Sequence, residues 1–224
     1  MQDNYYNDKL NSQKLFMAYE TSIPRVKQYL DAEINYVKSK LSREKNVLEL
    51  GAGYGRIIKE LASNCASITG IDISKDNVTL GNEYLKNTQN AKMLVMDVHN
   101  MTFKNSFDVV LCLQNGFSAM RLTFDTVKSI MDLVSDEGQV FFSSYSEKFW
   151  DTRLEWFKEQ SKKGLLGEID MDKTKNGVIV CKDGFRATTS SPEYFEQLGK
   201  SLGYSFEIKE VDESSLFLVI NKIS

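Results

Sequence analysis

A glycine-rich turn and three acids are the residues of this sequence best placed to do chemistry. The run Gly51-Ala52-Gly53-Tyr54-Gly55 follows the apolar segment NVLEL at 46–50. Glycine there lets the backbone approach a ligand with no side chain in the way, and a helix starting just after it aims free N–H groups at that ligand. Alone, such a turn can be simply a tight strand–helix junction. Glu49 lies two residues before Gly51 in an otherwise apolar stretch, where a buried carboxylate is costly without a partner. Asp72 closes the next apolar stretch, SITGID, and Asp97 the one after, in MLVMDV. A carboxylate at the first of these can accept both hydroxyls of a ribose, and one at the second is in reach of an adenine amino group. Three successive strands then end in a glycine or acidic signal at one edge, and open α/β sheets bind ligands at the carboxyl ends of their strands.

The elements that must position these residues alternate along the chain. Strands are predicted over 46–51, 67–72, 91–98, 107–115 and 138–146, with helices over 54–64, 74–87 and 123–135 and a leading helix over 25–45. Several strands are apolar at consecutive positions, as expected when helices cover both sheet faces. The alternation implies right-handed crossovers and a doubly wound, mostly parallel sheet. Beyond it lie an aromatic-rich helix over 147–163 and a hairpin with its turn at Asn176-Gly177. A helix capped by Ser191, with Pro192 at its first position, stops at Gly203. Two strands at the sheet edge follow. Residues 1–224 are expected to form one domain, with 165–188 as a β insertion, or lid, over the open end of the core.

In this order and spacing, VLELGAGYGR, TGIDIS, LVMDVHNM and FDVVLCLQNGFS resemble the four motifs of the class I (Rossmann-like) S-adenosylmethionine-dependent methyltransferases of small-molecule type. The resemblance spans roughly residues 20–146 and the final two strands. It implies an α/β fold with a seven-stranded, mostly parallel sheet, helices on both faces and an antiparallel last strand. It also implies S-adenosylmethionine as cofactor and S-adenosylhomocysteine as product. Carried over by position, Gly51, Gly53 and Gly55 would flank the methionine part, with Glu49, Ala52 and Arg56 in the same cofactor-binding segment. Asp72 would bind the ribose, Ile73 would pack on the adenine, and Asp97 with Val98 would hold its far edge. Leu113 and Gln114 would lie beside the methionine portion, and Tyr19, in FMAYETS, would line the pocket. The segment LCLQNGFS lacks the [DNS]-P-P-[YF] run of enzymes that methylate amino groups of bases or glutamine. Its C-L-x-N-x-F pattern is loosely similar to small-amine methyltransferases. Cys112 has no neighbouring proline, unlike the cytosine C5 enzymes, and reads as core.

The rest of the composition narrows the choice. With 28 basic and 31 acidic residues the formal charge is −3 and no long like-charge block occurs, which disfavours nucleic acid bound by charge alone. Three separated cysteines and a single histidine give no metal-ligand pattern. The polar start MQDNYYNDKLNSQ resembles neither a signal peptide nor a membrane span, so a cytoplasmic protein is expected. Methyl transfer to a small-molecule N or O acceptor would run as an in-line displacement. Candidate bases are His99, Glu147 and Tyr145, with the expectation that no single residue carries the chemistry. Phe149, Trp150, Trp156 and Phe157 either pack on the sheet or box a cationic amine. Arg121, Arg153 and Arg186 are surface charges unless they converge under the lid. Two other readings stay open: a catalytically silent fold acting as a binding or scaffold module, and a nicotinamide-dependent oxidoreductase. Against the latter, Arg56 stands where G-x-G-x-x-G would place its third glycine. Neither the acceptor nor the oligomeric state leaves a signature in the sequence.

Overall fold

The computed structural model describes Tyr5, Leu10 and residues 12–222, so most of the polar start MQDNYYNDKLNSQ lies outside the described residues. The first apolar segment forms β1 (Asn46–Leu50), in which every residue after Asn46 is buried. It is followed by β2 (Ser67–Asp72), β3 (Ala91–Val95), β4 (Phe107–Cys112) and the long β5 (Val134–Tyr145). The short strands β6 (Ile179–Val180) and β7 (Arg186–Ala187) pair as a separate antiparallel sheet. Two further strands, β8 (Ser205–Val211) and β9 (Ser215–Asn221), complete a seven-stranded main sheet in the order β3-β2-β1-β4-β5-β9-β8. Strands β1 to β5 pair parallel to one another. β9 runs antiparallel between β5 and β8. The fold is the doubly wound one expected, with its last strand antiparallel.

Eight helices are described: α1 (Ser12–Tyr19), α2 (Pro24–Lys38), α3 (Arg56–Leu61), α4 (Lys75–Tyr84), α5 (Gly116–Ala119), α6 (Phe124–Asp132), α7 (Trp150–Lys162) and α8 (Pro192–Leu202). Alternation along each strand assigns side chains to opposite faces. Val47, Val109 and Phe141 meet Ile34 and Val37 of α2 and Ile58 of α3. On the other face Leu48, Val110 and Phe142 meet Val127 and Ile130 of α6 and Phe195 of α8. A third cluster joins α1, the start of α2, α7 and the small sheet beyond the end of β5. Caps stop the helices where the sequence placed them. Ser74, Thr123 and Ser191 each accept an N–H of the first turn, and Gly203 closes α8 with φ +75.

Several expectations shift: the third strand ends at Val95, not 98, and the fifth begins at Val134, inside the helix expected over 123–135. The leading helix ends at Lys38, not 45, because a turn from Ser42 to Lys45 feeds the chain into β1. β4 ends at Cys112, since Gln114 and Asn115 adopt left-handed conformations (φ +52 and +62) that no strand continues. Phe124, placed on the apolar face of its helix by spacing, is exposed at its first position. The hairpin turn forms at Asn176-Gly177, with Lys175 and Val178 exchanging both backbone hydrogen bonds. Only a single bridge, Ile169–Cys181, continues that ladder, and the paired strands are instead 179–180 and 186–187.

Gly70 in β2 shows how closely α3 lies on the sheet: a Cβ there would meet Ile58 Cδ1 at 2.4 Å and Met93 Sδ at 2.6 Å. Gly70→Ala is therefore expected to destabilise by about 1–3 kcal/mol through overpacking. The check is a urea titration, in which the midpoint falls at unchanged slope.

Candidate functional site

The turn after β1 requires its glycines. Gly51, Gly53 and Gly55 have φ of +67, +56 and +81, a region in which a side chain strains the backbone. The Ala52 N–H donates to Ile71 O at 2.9 Å, which holds the turn against β2. Asp72, at the end of β2, accepts from Gly53 N at 2.9 Å through Oδ2. Its Oδ1 accepts from Ser74 N at 2.8 Å and Asn77 Nδ2 at 3.1 Å. One carboxylate thus ties the turn to the start of α4. Burial raises its pKa and these three donors hold it down. Next to it Ile73 is 49% exposed, an apolar side chain with room for a flat partner. Asp97 follows β3 and caps a short turn, accepting from His99 N at 2.9 Å and Asn100 Nδ2 at 3.1 Å. Val98 beside it is buried. The two acids lie at the ends of neighbouring strands, as the motif order required.

At the other end of the turn, polar groups are buried without partners. Glu49 is 3% exposed and its Oε2 has no hydrogen bond. Burial pushes its carboxyl up to about 8, opposed by Arg56 and reinforced by Asp72. The Arg56 guanidinium lies 4.9 Å over the Tyr19 ring, and its Nη2 has no partner. Leu113 is buried, and the amide Nε2 of Gln114 is buried and unpartnered. Unpaired buried polar atoms are rare in native proteins and call for an explanation. An α-amino acid group, with one ammonium and one carboxylate, would satisfy Glu49 and Arg56 together. S-adenosylmethionine carries such a group joined to an adenosine, so these residues fit it. A dinucleotide would bring a pyrophosphate to the turn and leave Glu49 without a cation. Above the turn sits α1, where Leu15 Cδ2 comes within 2.8 Å of the position a Gly53 Cβ would take. Trp156 Nε1 donates to Ala18 O at 3.0 Å and pins the helix.

The proposed bases are engaged or remote. Both ring nitrogens of His99 are within hydrogen-bond distance of partners, Nδ1 with Thr126 Oγ1 at 2.9 Å and Nε2 with Met120 O at 3.0 Å. Since a carbonyl only accepts, Nε2 carries the proton. Tyr145 packs against Phe149, Tyr29 and the Arg153 guanidinium, 4.5 Å from its ring. Glu147 is exposed in the short turn before α7. Phe149 and Trp156 pack in the third cluster, while Trp150 and Phe157 join Tyr145 in a box that holds the protein's own cation. Arg153 is 1% exposed, lies over Tyr145, Trp150 and Phe157, and donates to Gly177 O and Ala187 O of the insertion. Arg121 and Arg186 are exposed elsewhere, so the three arginines do not converge. A groove of about 460 Å³ between α5 and the start of α8, bordered by Arg121, Ser190 and Tyr194, includes none of the turn or strand-end residues in its walls.

Glu33 escaped the sequence reading, and Asn115 entered it only as the asparagine of the C-L-x-N-x-F pattern. Glu33 of α2, fully buried, accepts from Gln114 N at 2.9 Å. Asn115 donates from Nδ2 to Thr188 O and accepts from Ser144 Oγ, both at 2.9 Å. Glu33 had a signal: it shares the stripe of Val26, Tyr29, Leu30, Ile34 and Val37, so a carboxylate falls on the apolar face of its helix. Asn115 had no further signal.

The strand order is that of the class I methyltransferase fold. Residues 47–138, under half of the chain, match the family model described as a methyltransferase domain. The chain is 27% identical over 120 residues to YqeM of Bacillus subtilis (strain 168), provisionally named a methyltransferase, covering 52% of this chain and 49% of that protein. It is 25% identical over 120 residues to the ubiquinone biosynthesis O-methyltransferase of Hydrogenovibrio crunogenus, with the same coverage. The chain thus spans about half the length of these curated relatives. Among solved structures, the DhpI–SAM–HEP complex is similar with a TM-score of 0.64 at 18% identity, covering 97% of this chain and 94% of that one.

Glu33 and Glu49 make stability depend on pH. In the fold burial pushes Glu33 up to about 7 and Glu49 to about 8, against 4.5 for an unperturbed glutamate. Folding thus favours their protonated forms, so this stability is full below about pH 4.5 and is lost as pH rises through 7 and 8. Glu49→Gln removes one buried charge. It is expected to raise the thermal midpoint of ligand-free protein at pH 8.5 by on the order of 5 °C and to weaken S-adenosylhomocysteine binding at least about 10-fold. Scanning and titration calorimetry read the two effects, and unchanged affinity would remove Glu49 from the site.

Proposed function

We propose that this chain is an S-adenosylmethionine-dependent methyltransferase that acts on a small-molecule nitrogen or oxygen acceptor and releases S-adenosylhomocysteine. The observation that carries the reading is the set of unmet polar atoms on Glu49, Arg56 and Gln114 beside the glycine turn. Asp72 and Asp97 stand ready at the adenosine end. The methyltransferase-domain match over 47–138 and the O-methyltransferase named among the relatives support it.

When bound, the cofactor supplies a methyl group already activated on a sulfonium. The chain's own part is binding, orientation and exclusion of water. Glu49 and Arg56 hold the amino acid group, Asp72 the ribose hydroxyls, and Ile73 and Val98 the adenine, with Asp97 at its far edge. Leu113 and Gln114 flank the methionine portion and Tyr19 covers it. An amine acceptor needs only to arrive neutral, and a hydroxyl must give up its proton. His99, held at both nitrogens, serves to join the end of β3 to α5 and α6 and takes no proton. The aromatic box is filled by Arg153, so the acceptor is selected by something other than a cage for a cation. We further propose that residues 1–224 act as one domain, that 165–188 is its lid, and that the protein works in the cytoplasm without nucleic acid. None of the described helices is long and apolar enough to cross a membrane.

Titration calorimetry discriminates the readings. Wild-type protein is expected to bind S-adenosylhomocysteine with a Kd in the micromolar range or tighter, on the order of −8 kcal/mol, and NADH not measurably. Asp72→Ala should weaken the former at least about 10-fold. Binding of NADH alone would replace this reading with that of an oxidoreductase. His99→Ala should keep S-adenosylhomocysteine affinity and retain turnover within about 10-fold, and a loss beyond about 100-fold at unchanged affinity would make His99 catalytic.

A further inference from the structure

Gln114 and Asn115 are consecutive non-glycine residues in the left-handed region, immediately after β4. Such backbone persists only where the surroundings over-determine it. Three elements do so here. The side chain of Asn115 is held by Thr188 O and by Ser144 of β5. The Gln114 N–H is held by Glu33 Oε2 of α2, across 81 positions of sequence. Glu33 is fully buried, so ionising it to hold one N–H is costly unless the bond has a purpose. Its other oxygen, Oε1, has no hydrogen bond, and the hydroxyls of Ser215 and Ser143 moderate its charge from nearby without completing one.

We propose that Glu33 is a positioning residue of the cofactor site: its carboxylate fixes the Gln114–Asn115 turn and so aims the Gln114 amide at the methionine end. The proposal rests on the reading of the site as one for S-adenosylmethionine. The charge balance agrees with it. Glu33 and Glu49 are two buried carboxylates with one guanidinium, Arg56, acting on both. The ligand's ammonium would meet the acids while its carboxylate takes Arg56, and a turn held tighter by the ligand strengthens the Gln114 N–H bond, which favours the ionised form of Glu33. The other titratable groups facing Glu33 are Tyr19 of α1, Tyr29 of its own helix and Cys112 of β4. Burial raises all three above their ordinary values, so they stay neutral between pH 6 and 8. Glu33 changes protonation within that range and Glu49 toward its upper end.

The test measures S-adenosylhomocysteine affinity by calorimetry at pH 6 and pH 8 for wild type, Glu33→Gln and Glu33→Met, with amide hydrogen exchange at Gln114. Wild type is expected to bind about 10-fold tighter at pH 8 than at pH 6. Glu33→Gln keeps an acceptor for the Gln114 N–H but loses the charge, and its gain should shrink to about 3-fold or less, the share left to Glu49. Glu33→Met should also expose the Gln114 N–H to exchange at least about 10-fold faster and weaken binding at both pH values. A residue that merely packs α2 would lower the thermal midpoint and leave the pH slope alone. An unchanged slope in Glu33→Gln, or unchanged exchange in Glu33→Met, overturns the proposal while leaving the cofactor reading intact. Wild-type protein that binds no S-adenosylhomocysteine at either pH overturns both. Should the variants fail to fold, the wild-type affinities decide: binding that does not tighten from pH 6 to pH 8 counts against Glu33.

Discussion

Parallel strands cannot be joined by a tight turn, because each must be re-entered from the end where the last one began. β1 to β5 obey this constraint, and much else follows from it. The returns from β1, β2 and β4 pass through helices, and that from β3 through the loop after Asp97, so both faces of the sheet are covered and the strands can be apolar on consecutive residues. Every carboxyl end falls on the same edge, so the glycine turn after β1, Asp72 after β2 and Asp97 after β3 gather without any contact between them having to be specified. The site is a by-product of connectivity, refined afterwards by side chains.

That refinement works against stability. Glu33 and Glu49 would each fold more comfortably as a neutral residue, and Arg56 is shared between them. Natural proteins tolerate such groups where a partner arrives from outside, and a stability–activity conflict of this kind marks binding sites generally. The aromatic cluster beyond β5 shows the opposite solution. There a buried cation, Arg153, is surrounded by rings and hydrogen-bonded to backbone carbonyls of the insertion. It is satisfied from within, and it joins α7 to the small sheet.

The parts legible in the sequence were those written locally. The glycine turn, the strand-end acids, the caps at Ser74 and Ser191 and the stop at Gly203 all depend on neighbours a few residues away. Glu33 was half legible, as a charge on an apolar helical stripe, but its partner Gln114 lies far along the chain and no local pattern joins them. Arg153 was readable only as one of several scattered arginines, since its rings come from β5 and α7 and its carbonyl partners from the insertion. In the insertion, Asn176-Gly177 announced its turn because two left-handed residues are what that turn needs. Which strands then paired was decided by a second turn near Gly184 and by burial of Ile179 and Ala187, which composition alone does not rank.

The position of β9 between β5 and β8 has a consequence for how the chain comes together. β5 carries Val140, Phe141 and Phe142, all fully buried in the finished sheet, along an edge that only Ser215–Asn221 covers. Between the two lie α7, the small sheet, α8 and β8. During synthesis that edge stays open, apolar and rich in β-prone residues, until its partner leaves the ribosome. The same order that closes the sheet so late makes this interval the one in which the chain is most exposed to pairing with a neighbour instead of with itself.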